Sequence, residues 1–227
     1  MVYFLLKKNI IIYMYKFFYL LIFLFFFILP VRADFLPTYI SKNNLGVGVI
    51  ALKDNVKIYE NNDEKGLPLA IIGVGGFTLR GVNHSIEEDI YIARKKTDNL
   101  ALLSVEYDTD DWFYVCYNYK LKLYGWVKKD EKTDFIKWED FFNLYGRKNG
   151  LYLFNNLPDE YKKLYSKPDF DSTVVDEFKY PKHISLWLIS GDWMLVKVLT
   201  YGGETKTGWI KWRTKKGNLT AFPDFRY

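Results

Sequence analysis

The feature that most constrains this chain is an internal echo. Asp111-Trp112-Phe113-Tyr114-Val115 returns as Asp192-Trp193-Met194-Leu195-Val196, and Gly125-Trp126-Val127-Lys128 returns as Gly208-Trp209-Ile210-Lys211. The two Trp are 14 residues apart in the first instance and 16 in the second, a difference that one hairpin loop absorbs. Upstream, Lys57-Ile58-Tyr59 matches Lys163-Leu164-Tyr165; downstream, Asp140-Phe141 matches Asp224-Phe225. Four matched elements in one order mark two copies of one small unit, with a boundary near Arg147 to Gly150.

Each copy reads as β structure. Leu45 to Leu52, Val56 to Glu60, Leu67 to Ile72, Asn99 to Tyr107, Trp112 to Tyr119, Ile184 to Ile189, Trp193 to Thr200 and Gly208 to Trp212 have strand length. They are rich in Val, Ile, Tyr and Phe and are bounded by turn residues. Ser85 to Ala93 and Phe135 to Leu144 are the candidates for short helices. In the second hairpin, alternation puts Met194, Val196 and Val198 on one face and sets Trp209 and Ile210 on opposite faces. Gly202 and Gly203 serve the reversal, and Gly208 lets the returning backbone approach closely. The copies differ in length: Tyr59 to Trp112 spans 53 residues and Tyr165 to Trp193 only 28. The surplus of 25 lies around residues 73–98 and holds GVGGFTLRG and the acidic SIEEDIYIA. An insertion of this kind is either an added binding surface or a tolerated loop.

The Lys-x-Tyr-type first strand, the variable arm, the Gly-Asp-Trp-x-x-Val motif and the Gly-Trp-[Val/Ile]-Lys motif resemble the bacterial SH3-like domain. The resemblance covers Tyr161 to Trp212 and, in part, Val56 to Lys128. It implies an all-β chain of two tandem small SH3-like β-barrels with short helical insertions. Residues 34–147 would form the first, with the insertion around 73–98, and residues 148–227 the second. It also implies cell-envelope work: recognition of a cell-wall peptide or of an extracytoplasmic protein partner.

The N-terminus points the same way. Lys16 precedes an uninterrupted apolar run, Phe17 to Leu29, and Pro30-Val31-Arg32-Ala33 offers a cleavage site before Asp34. Residues 1–33 read as a signal peptide; the alternative is an uncleaved anchor helix, the chain's sole membrane contact. The expected location is exported, periplasmic or extracellular. Lys7, Lys8, Lys16 and Arg32 all precede the cut, so 32 basic against 27 acidic residues becomes 28 against 27. That near-neutral balance lacks the basic footprint of nucleic-acid binding. A single cysteine, Cys116, suits a bacterial exported protein, because eukaryotic exported domains of this size usually carry disulfides.

Residue patterns for catalysis are weak. Cys116 lies mid-strand, not at a helix N-terminus that would activate a thiolate, and reads as a structural thiol. His84 and His183 are too few and too far apart to suggest a metal site, and GVGGFTLRG lacks the Gly-Lys-[Ser/Thr] ending of a phosphate loop. The expectation is a non-catalytic module with no cofactor and no metal. The binding candidates are Trp112 and Trp193, balanced between core and groove, together with Tyr59, Tyr165 and Tyr201. Trp126 and Trp209 read as core. Two alternatives stay open: a cell-wall-active enzyme with an unrecognised site, and a structural component of an envelope assembly.

Overall fold

A computed structural model describes residues 46–177 and 181–225. The proposed signal peptide lies outside the described residues. Asp34–Tyr227 is one compact unit. It is mostly β, as the segment lengths predict. The strands are β1 (Gly48–Leu52), β2 (Val56–Ile58), β3 (Ala70–Gly73), β4 (Gly76–Leu79), β5 (Ala93–Lys95), β6 (Leu100–Asp108), β7 (Trp112–Asn118), β8 (Leu123–Lys128) and β9 (Thr133–Lys137). They continue as β10 (Leu151–Leu153), β11 (Lys163–Tyr165), β12 (Val174–Glu177), β13 (His183–Ser190), β14 (Trp193–Leu199), β15 (Thr205–Lys211) and β16 (Ala221–Pro223).

One sheet runs β8-β7-β6-β1-β9, with β5 also on β6; a second runs β12-β11-β15-β14-β13-β10-β16; a third is β2-β3-β4. A bridge between Tyr59 and Trp126 ties β2 to β8, and Tyr165 pairs with Trp209 where β11 meets β15. The two repeats therefore follow one path: first strand, second hairpin arm, first hairpin arm, long strand, entry strand, exit strand. Their registers coincide as well. Trp112 faces Lys128, Tyr114 faces Trp126 and Val115 faces Gly125; Trp193 faces Lys211, Leu195 faces Trp209 and Val196 faces Gly208. Each long strand carries a bulge at the same point, between Val105 and Tyr107 and between Leu186 and Leu188.

One expected match fails. Ile50 pairs with Phe135 and its counterpart Leu151 pairs with Pro223, so Phe135 and Pro223 are the equivalent positions. Asp140-Phe141 lies in a helix and Asp224-Phe225 follows a strand, so they are not equivalent. The rings of Phe141 and Phe225 are nonetheless 6.5 Å apart in one core.

The helical expectations are met in shortened form. Ser85 to Ala93 yields Glu87–Ile90 before the chain turns into β5. Phe135 to Leu144 stays extended through Lys137, and the helix starts at Trp138 (Trp138–Phe141), passes through a π-helical turn (Phe142–Gly146) and ends as Arg147–Asn149. The insertion is packed, not loose. Tyr91 is fully buried and its hydroxyl donates to Gly73 O at 2.8 Å; Arg94 Nε donates to Val74 O at 2.8 Å, while its guanidinium pairs with Glu87.

Alternation along β1 separates two cores. Ile50 joins Leu52, Ile58, Leu103, Val105, Phe113, Val115 and Val127 inside the first repeat. Val49 points to the opposite face and joins Leu102, Trp138, Phe141 and Phe142 in one cluster with Leu164, Ile184, Met194, Val196, Ile210 and Phe222. The interior of the second repeat is thus continuous with part of the outer face of the first.

Candidate functional site

The expected binding residues fall into place as two equivalent clamps and one outlier. Tyr59 meets Trp112 edge-on at 6.2 Å and 87°; Tyr165 meets Trp193 at 5.7 Å and 84°. Trp112 and Trp193 keep only 9% and 8% of their surface, and both tyrosines are buried. The structure brings these four together pairwise within each repeat. Tyr201 stands apart, 77% exposed on the turn at the far end of the hairpin from Trp193.

The glycine in each Gly-Trp explains the clamps. A Cβ on Gly125 would lie 2.6 Å from Ile58 Cγ2 and 2.8 Å from Tyr59 O; one on Gly208 would lie 3.0 Å from both Leu164 Cβ and Tyr165 O. The first strand crosses the hairpin there at backbone contact distance, which seats its Tyr against the Trp opening the other arm. In the second repeat Phe170 closes over Trp193 at 4.9 Å, and Tyr165 donates its hydroxyl to Glu160 O at 3.0 Å. Burial raises the Tyr165 phenol above its ordinary range, so it remains a neutral donor.

Trp126 and Trp209 reverse the expectation of core. Both are half-buried and lie on the outer face, opposite Tyr114 and Leu195. Parity decides this: the inward positions are Val127 and Ile210, which are buried.

The outer face of the first repeat holds the residues that sequence reading missed. Tyr107, Tyr114 and Trp126 face one another across β6, β7 and β8, with Tyr124 beside them. Tyr114 stacks on Tyr107 at 5.5 Å and 20° and on Tyr124 at 5.8 Å and 17°, and meets Trp126 at 4.8 Å. Tyr107 is 62% exposed. It reaches this face through the bulge: without the extra residue, Tyr107 would share the inward side of Val105. The stacked rings form an amphipathic surface able to hold apolar groups and hydrogen-bond polar ones. The other repeat carries Leu188, Leu195, Thr207 and Trp209 at the same places, which is one aromatic in place of four.

Period-2 alternation sets Tyr114 and Trp126 on the face opposite Val115 and Val127, so that part of the ladder was open to a reading from sequence. Tyr107 was not, because a bulge leaves no motif.

Cys116 is buried in β7, whereas its counterpart Lys197 is exposed, and His84 and His183 are both exposed. Among the described residues no group of three His, Cys, Asp or Glu side chains could hold a metal ion, and no helix is long and apolar enough to cross a membrane. The sequence matches no known family model and no curated protein.

Proposed function

We propose that the chain is an exported, non-catalytic binding module of two tandem SH3-like barrels, and that the Tyr107–Tyr114–Tyr124–Trp126 face of the first receives a cell-wall peptide. The barrel reading is supported by the common strand path, the bulged long strand and the glycine crossing in both repeats. The single observation that carries the binding reading is the ladder of stacked aromatics left partly open to solvent. Burial of Trp112, Trp193, Tyr59 and Tyr165 moves the reading from those four to the ladder. A peptide strand laid along it would meet apolar ring surface for its side chains and phenol hydroxyls for its carbonyls.

The test is co-sedimentation of Asp34–Tyr227 with purified peptidoglycan sacculi, with and without Tyr114→Ala. Sedimentation that the substitution abolishes, with folding retained, supports the reading. Sedimentation that survives the substitution removes the ladder from it, and absence of sedimentation of the unsubstituted chain removes the wall and turns the reading to a protein partner.

A further inference from the structure

Glu106 occupies the bulge of β6, where the first repeat meets the segment that follows β15. Its Oε1 is buried and has no hydrogen-bond partner. The charged and titratable groups facing it come from each neighbouring element. Arg213 approaches from beyond β15, donating through Nη2 to Gly46 O at 2.6 Å and through Nε to Gly217 O at 3.3 Å. Tyr124 of β8 and Tyr119, just past β7, lie within reach of its charge, and the Tyr119 hydroxyl donates to Ser104 Oγ at 2.7 Å. Cys116 of β7 lies among these two tyrosines.

The arginine is thus near enough to attract the carboxylate, yet these two donors are spent on backbone carbonyls. Burial raises the Glu106 carboxyl and the pull of Arg213 offsets only part of that. Tyr119 and Tyr124 are both raised by burial as well, so they stay neutral while Glu106 titrates. A carboxylate oxygen buried without a donor, as Oε1 is, loses hydration uncompensated, whereas the protonated form carries less of that penalty and gains a donor.

We infer that the contact between the two repeats is protonation-sensitive, and that it is most stable when Glu106 carries its proton. A carboxyl raised in the fold favours the protonated form. The stabilisation is complete below the unfolded-state value and is lost as the pH rises through the folded one.

Urea unfolding of Asp34–Tyr227 and of its Glu106→Gln variant at about pH 4 and about pH 8 reads the effect, since these lie below and above the ordinary Glu value of about 4.3. The expected result is a variant midpoint above the unsubstituted one at the higher pH, with the gap closed at the lower. A gap that does not change with pH overturns the inference. A carboxyl-carbon NMR titration of Glu106 in the unsubstituted protein decides the matter even if the variant fails to fold. A midpoint above the ordinary Glu value of about 4.3 supports the inference, and one at or below it overturns it.

Discussion

From Trp112 to Cys116 and from Trp193 to Lys197 the hairpins β7–β8 and β14–β15 share a register, after which β7 alone shifts, yet their outer faces have little in common. Where the first has Leu102, Cys116 and Tyr124, the second has His183, Lys197 and Thr207. Leu102 is buried in the shared core and Cys116 is buried in β7, whereas His183, Lys197 and Thr207 are exposed. Inward positions and the glycine crossing answer to the fold, so they recur. Outward positions answer to whatever covers them, so they diverge. The ladder lies where the covered part of the first face gives way to solvent.

The shared core is where the comparison breaks most severely. Phe142 touches Trp138 and Phe141 in its own helix and Trp212 at 5.1 Å. Phe142→Ala is expected to cost about 3–5 kcal/mol. Both repeats should lose structure in one transition, measured by calorimetry. Separate transitions would show that the repeats do not depend on a common interior.

Adding a methyl at the crossings sharpens the comparison. Gly125→Ala meets atoms at 2.6 and 2.8 Å, and Gly208→Ala meets them at 3.0 Å. Each should destabilise by about 1–3 kcal/mol, the first by more, in chemical denaturation. Equal costs would mean that the tighter approach in the first repeat relaxes freely.

A smaller contrast separates the clamps. Tyr165→Phe removes a hydroxyl bonded to Glu160 O and should cost about 1 kcal/mol. Tyr59→Phe should cost less than about 0.5 kcal/mol, since its ring is what meets Trp112 in the clamp. Equal losses would show that the two clamps are held by the ring alone.

The sequence carried the hairpins and the place of the insertion, because each rests on short-range rules: period-2 alternation, glycine at a close approach, and spacing between equivalent Trp. It misplaced Trp126 and Trp209 because large aromatics were assigned to the interior by size, whereas parity puts Val127 and Ile210 there. The long-range features were hidden. Nothing local to Trp138–Asn149 says that its rings fill the interior of the following repeat, and nothing in Glu106-Tyr107 announces a bulge. The ladder depends on that bulge, and none of its four residues stood among the binding candidates; Trp126 stood with the core.

The measurement that most directly tests the account applies the same injury to both outer faces. Tyr107→Ala/Tyr114→Ala and the equivalent Leu188→Ala/Leu195→Ala would be compared for sacculus co-sedimentation, with unfolding midpoints recorded alongside. The account predicts loss of sedimentation in the first pair alone, with both variants folded. Loss in the second pair, or in neither, would contradict it.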